Sequence, residues 1–310
     1  MSANVAIDTS STGNDGDVTL TSTVMSSADN GEKTLTITSG SGPVDIGDAI
    51  GGTDLRQLGG LSINATSGSG TIAVEDIGPS NTNAGVDGDV TIGNAATTTI
   101  TFDGSIYSVG DAATHDILVK SASGENIQFT KGASTEVITV GGGTITFNNG
   151  SDAGSIYLAA STPLTINSKG GAIDIASVYG VATGDNNLTI NANTAGGATD
   201  SDGNTTETIK IGAIGDADEI SAVTLDGVDG ITLAGNITLA DDAGADLDIN
   251  GKVFIDGNVT ITTDNTTDDG TINFSSTIDG VTQSGTDIAD NLRILAGDSS
   301  GAQGLSLIHI

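Results

Sequence analysis

Short triplets recur along the chain in which two apolar residues flank a middle residue that is mostly polar and often Thr. They include Val18-Thr-Leu20, Leu35-Thr-Ile37, Val44-Asp-Ile46, Leu61-Ser-Ile63, Ile72-Ala-Val74, Val90-Thr-Ile92, Ile100-Thr-Phe102, Ile117-Leu-Val119 and Ile127-Gln-Phe129. A period of two is the mark of a strand with one buried face, the middle residue pointing outward. Between triplets lie Gly, Asp, Asn and Ser, which turns favour because they accept positive φ or bond their own backbone. No stretch keeps a helical i, i+3, i+4 pattern for more than about three turns, so the pattern predicts short strands and almost no helix.

The triplets keep a beat. Every second one starts at 18, 44, 72, 100 and 127, in steps of 26, 28, 28 and 27 residues. The interleaved set starts at 35, 61, 90 and 117, in steps of 26, 29 and 27, and Ile145 to Ile173 adds a step of 28. Two strand series thus share one period of about 27 residues, within the range of solenoid repeats. From Ile231 a denser series runs through Ile237, Leu247, Val253 and Val259, predicting shorter sides and a tighter, triangular cross-section. These features predict an all-β chain, a right-handed parallel β-helix of about 27 residues per coil, with inward Val, Ile and Leu stacked into one narrow core. An antiparallel sandwich tolerates the same turns but has no 27-residue beat.

Between Ala176 and Ala222 the triplets thin to Leu188-Thr-Ile190 and Ile209-Lys-Ile211. Residues 1–304 read as a single β-solenoid segment with an irregular loop or bulge at about 191–208.

Composition agrees. Gly accounts for 46 of 310 residues, aromatics for 3%, and Cys and Trp are absent. A slim interior filled by branched aliphatics needs few aromatics. Acidity and scarce aromatics also mark disorder, but 36% apolar residues and a mean hydropathy of +0.05 suffice for folding. Only six acids are Glu and 34 are Asp, which assigns the acidity to turns. The net charge of −32 opposes binding to nucleic acid or to anionic lipid. No apolar run reaches the roughly 18 residues of a membrane span, and Met1–Asp8 lacks the basic and apolar regions of a signal peptide. No membrane insertion is expected.

Gly16-Asp-Val-Thr-Leu-Thr-Ser-Thr-Val24, the stretch from Leu35-Thr-Ile-Thr-Ser to Gly51-Gly52, and Leu61-Ser-Ile-Asn64 resemble the β-strand repeats of giant bacterial surface proteins related to filamentous haemagglutinin. The resemblance spans most of positions 10–300. It implies an exported, very long stalk at the cell surface or secreted, whose partners are further coils of the same polypeptide and host-cell or surface glycans or proteins. The expected role is non-catalytic, structural and adhesive. The last residues, Leu305-Ser-Leu-Ile-His-Ile310, resemble a translated sequencing adapter of the transposon-end type, so 305–310 reads as a non-native tail.

Acids crowded on turns, namely Asp15, Asp17, Asp87, Asp89, Asp216, Asp218, Asp226, Asp229, Asp241, Asp242, Asp268 and Asp269, are candidate weak Ca²⁺ sites, because hard oxygen ligands suit Ca²⁺ and its binding relieves self-repulsion. None fits an EF-hand loop or the Gly-rich calcium nonapeptide, and solvated turn acids are the plainer reading. No other cofactor is expected. A carbohydrate-active β-helix, either polysaccharide lyase or hydrolase, is the alternative function; it needs carboxylates, a cation and aromatic platforms. Only Arg56 and Arg293 offer a guanidinium, Tyr107, Tyr157 and Tyr179 are scattered in sequence, and His115 reads as a surface histidine. The outward Thr19, Thr36, Thr91, Thr101, Thr146, Thr165, Thr189, Thr232, Thr238 and Thr260 raise a remote alternative, an ice-binding solenoid, although Thr is favoured on any exposed strand face.

Overall fold

The computed structural model describes residues 1–310 except 12–14, 28–31, 53–55, 67–69, 123–125, 148–153, 181–185, 195–207, 216–219, 241–243, 264–269, 281–289, 297–303 and 310. The predicted loop at about 191–208 therefore lies mostly outside the described residues. No helix occurs among them. The strands stack in parallel, each pairing with a strand about one coil earlier and one coil later, as in a β-solenoid.

Both predicted series are present as continuous ladders. On the first side the inward positions run Val5, Leu35, Leu61, Val90, Ile117, Ile145, Ile173, Ile209, Ile231, Val253 and Ile278. On the second side they run Val18, Val44, Ile72, Ile100, Ile127, Ile156, Val178, Ile214, Ile237, Ile261 and Ile294. The register is fixed by burial: a slip of one residue would turn every Ile and Val of a strand to solvent and every Thr to the core.

A third side, not visible in the triplet beat, completes each coil. It begins as single bridges, Val24 to Ile50 to Ile77 to Tyr107, and widens into full strands from Ile106–Val109 onward through Val137, Ile166, Ile190, Leu225, Ile249 and Phe274. The cross-section is three-sided from the early coils, and is not confined to the dense stretch after Ile231 as predicted. First-side steps are 26–30 residues as far as Ile173, 36 from Ile173 to Ile209, and then only 22 from Ile209 to Ile231 and from Ile231 to Val253. The strand Ile173–Gly180 serves two sides, Ile173 to Ile175 on the first and Val178 to Gly180 on the second.

Turns between sides bring backbones into contact. Gly51 adopts φ +79°, and a Cβ there would lie 2.0 Å from the carbonyl oxygen of Gly85. Only glycine fits such a position.

The core is the column of inward Val, Ile and Leu, nearly all fully buried. It also holds aromatic side chains in one place, among them Phe102 and Phe129, the inward flanks of two of the triplets. Phe102 and Phe129 occupy successive rungs with ring centroids 4.9 Å apart and planes 16° from parallel. Tyr107 meets Phe102 edge-on at 4.8 Å, and Phe147 meets Phe129 at 6.2 Å. The rung spacing of a parallel ladder is close to a ring-stacking distance, so like residues on adjacent coils stack without distorting the backbone.

One strand breaks the parallel rule. Gly304–His309 pairs antiparallel with Asn291–Ala296, Leu292 opposite Ile308. No helix among the described residues is long and apolar enough to cross a membrane.

Candidate metal centre

Several turn acids, the candidates Asp15 and Asp89 among them, are occupied by backbone. Asp15 accepts from the Ser11 N–H at 2.8 Å and from the N–H and hydroxyl of Ser41 at 2.6 and 2.8 Å. Asp76 accepts from the N–H groups of Ser105 and Ile106 at 2.6 and 3.0 Å. Asp89 accepts from the Asp116 N–H at 3.0 Å, and Asp116 from the Thr144 N–H at 2.7 Å. Asp246 accepts from the Thr271 N–H at 2.8 Å. Apart from the local bond from Ser11, each acceptor lies about one coil before its donor, so these carboxylates join successive coils at corners where the ladder cannot.

The remaining candidates are dispersed. Asp17 is exposed just before the strand Val18–Leu20. Asp226 ends the strand Val223–Asp226 between Asn191 and Asn250 and accepts from the Asn193 amide. Asp229 is half-buried in the following turn. Asp216, Asp218, Asp241, Asp242, Asp268 and Asp269 lie outside the described residues.

Asp87 is different. Its neighbours are Asp111 and His115 of the next coil, and one ligand atom from each of the three lies within 4.8 Å of the others. Val86 bridges Val109, and the Gly110 N–H donates to the Val86 carbonyl at 2.8 Å, which sets Asp111 over Asp87. Gly110, at φ +65°, turns the chain so tightly that a Cβ would lie 2.8 Å from the Cβ of His115. The His115 N–H closes the turn on the Ala112 carbonyl at 3.0 Å. The His115 Nδ1 stands 3.6 Å from Asp111 Oδ1, too far for a hydrogen bond.

The electrostatics follow from this packing. Asp87 is pushed up to about 6, first by burial and then by the facing Asp111 carboxylate, while His115 opposes the shift. Elsewhere burial raises Glu75, Asp103 and Asp174 above the usual carboxylate range. Tyr107 is raised far above an ordinary phenol, chiefly by burial; its hydroxyl donates to the Val74 carbonyl at 3.1 Å and accepts from the Gly104 N–H at 2.7 Å.

The sequence pairing of Asp87 with Asp89 is therefore not the one in space, and His115 is no isolated surface residue. Asp111 carried no local signal; its offset of 24 residues from Asp87, close to one coil, is the only trace of the cluster in the sequence.

The groups that an enzyme would need are apart. Arg56, exposed, donates to Met25 Sδ at 3.3 Å and pairs with no carboxylate among the described residues, while Arg293 lies at the far end of the ladders on Asn291–Ala296. Tyr107 is in the core, whereas Tyr157 and Tyr179 are adjacent on the outside of the second side. An apolar void among Ile77, Val90, Phe102, Tyr107 and Phe147 lies within the core. The outward threonines are divided over three sides and interrupted by Ser62, Leu118, Asp174, Lys210 and Phe254 on the first, with Thr165, Thr189 and Thr224 forming a run of three on the third.

Comparison with protein families, with curated proteins and with solved structures finds no match to the chain.

Proposed function

We propose that the chain is a non-catalytic stalk segment of a large secreted or cell-surface bacterial repeat protein, extending and presenting adhesive regions toward host-cell or surface glycans or proteins. The observation that carries this reading is the unbroken run of the first-side ladder from Val5 to Ile278, in which every coil repeats the same mechanical element. Force applied along such a column is shared by rows of backbone hydrogen bonds between coils. The outward acids, part of a net charge of −32, keep a repetitive β surface from associating with itself.

One observation favours the second reading, a polysaccharide lyase or hydrolase. Tyr157 and Tyr179 sit side by side on the outer face, and paired aromatic faces are suited to sugar rings. Against it, neither arginine lies in their strands.

The two readings separate in a turnover assay. Neutral and acidic polysaccharides incubated with the purified chain should release no reducing ends and no unsaturated products. Release that Tyr157→Ala and Tyr179→Ala abolish would replace the stalk with the enzyme.

A further inference from the structure

We propose that Asp87, Asp111 and His115 form a binding site for a single divalent transition-metal ion of the Zn²⁺ class, which clips two successive coils together. The proposal is independent of the stalk reading. Its ligands come from two coils: Asp87 from one corner, Asp111 and His115 from the corresponding corner of the next.

Two observations point to a ligand. Asp87 Oδ1 and His115 Nδ1 are both shut off from water with no hydrogen-bond partner, whereas Asp15, Asp76, Asp89, Asp116 and Asp246 take up backbone N–H groups. An enclosed polar atom without a partner is costly, and native folds seldom leave one without purpose. Here two such atoms belong to one cluster. The second observation is spacing. The separation of 3.6 Å between His115 Nδ1 and Asp111 Oδ1 is close to the edge, about 3.3–3.4 Å, of a tetrahedron with metal–ligand bonds of about 2.0–2.1 Å.

The donor set selects the ion. Ca²⁺ takes six to eight oxygens and has little use for imidazole, whereas one imidazole with two carboxylates suits Zn²⁺ and its neighbours in the first transition row. Three protein ligands leave a fourth position, which opens to solvent on the side of the exposed Asp111. The backbone is already held in place. Asp116, next to His115, is tied to Asp89 in the coil below, and the turn before it is closed by the His115 N–H on Ala112. Bridging the corners draws two like charges together around a cation.

The test uses the untagged full chain in a His309→Ala background, so that His115 is the only imidazole among its two histidines. Isothermal titration with Zn²⁺ and with Ca²⁺, thermal melting with each ion, and the visible absorption of added Co²⁺ are measured. The expected results are one Zn²⁺ per chain, a melting temperature raised by Zn²⁺ but not by equal Ca²⁺, and the intense absorption of four-coordinate cobalt. His115→Ala and, separately, Asp111→Asn at the exposed ligand should each weaken Zn²⁺ binding at least tenfold while leaving the far-ultraviolet spectrum of the strands unchanged. Absence of Zn²⁺ binding, equal affinity for Ca²⁺, or Zn²⁺ binding indifferent to both substitutions would overturn the proposal.

Discussion

The carboxylate of Asp89 accepts the backbone N–H of Asp116, 27 residues and one coil further along, at 3.0 Å. Asp116 does the same for Thr144 at 2.7 Å, so a relay of turn acids runs up one corner of the column. These acids resemble helix N-caps in function: a side-chain oxygen supplies the partner that the chain's change of direction takes from an N–H. Asp89→Ala should cost about 1 kcal/mol, read as a lower midpoint in urea. Asp89→Asn, which keeps the acceptor oxygen, should recover most of that loss. Equal losses in both variants would show that charge, and not the hydrogen bond, is the contribution of Asp89.

The aromatic stack in the middle of the column should be its most sensitive point. Phe129 is fully buried between Phe102 and Phe147, and Phe129→Ala leaves a cavity that flanking coils cannot collapse into, at a cost of about 3–5 kcal/mol. Tyr107→Phe removes a hydroxyl bonded to Val74 and Gly104 and should cost about 1–3 kcal/mol because the Gly104 N–H is left unpaired, whereas the Val74 carbonyl keeps the Asp103 N–H. Hydrogen exchange should localise the loss to coils around residues 100–147. Uniform loss of protection along the whole chain would contradict nearest-neighbour coupling.

Gly51 should tolerate no side chain. Gly51→Ala must leave φ +79° or displace Gly85, whose carbonyl oxygen stands 2.0 Å from the new Cβ. We expect a loss of at least about 1 kcal/mol from backbone strain alone. Gly132→Ala is the control. It shares the positive φ, +66°, but has open space around it, so the difference between the two variants isolates the coil contact. An equal loss in both would show that the contact with Gly85 contributes nothing.

Acidification should stabilise the fold before it destabilises it. Burial raises Glu75, which faces Asp103, Lys131 and Asp76, and Asp103, which faces Lys131, Asp45 and Asp76; Asp174, facing Lys210, is raised in the same way. Between the ordinary carboxylate value and these raised ones the folded chain holds more protons than the unfolded chain, so stability grows as pH falls through that window. Relief of a net charge of −32 acts in the same direction. Below the ordinary carboxylate range the corner acids lose their charge, and the gain reverses. Melting temperature at fixed ionic strength should rise from pH 7.5 to 5.0, and Asp103→Asn should raise it at pH 7.5 and flatten the difference. A monotonic fall from pH 7.5 would contradict this.

Two sides of the column were legible because strands such as Leu61-Ser-Ile63 and Ile72-Ala-Val74 alternate cleanly and recur at one period. The third was not, because its first rungs are single apolar residues, Val24, Ile50 and Ile77, with no alternation around them. The same limit hid the cluster of Asp87, Asp111 and His115. Its members belong to different coils, and only stacking brings them together. Tyr157 and Tyr179, scattered in sequence, are neighbours for the same reason. Conversely, the acids Asp15-Gly-Asp17 and Asp87-Gly-Asp89 looked like paired ligands along the chain, but Asp15 and Asp89 carry hydrogen bonds to backbone of the next coil.

Spin labels on one ladder test the coil stack most directly, and the absence of native cysteine makes labelling clean. Thr36, Thr146 and Thr232 all lie outward on the first side, Thr146 four rungs and Thr232 seven rungs from Thr36. At about 4.8 Å per rung, electron–electron distance measurements should give roughly 19 Å for Thr36→Cys with Thr146→Cys and roughly 34 Å for Thr36→Cys with Thr232→Cys. A Thr36–Thr232 distance no longer than the Thr36–Thr146 distance would contradict an extended column of stacked coils.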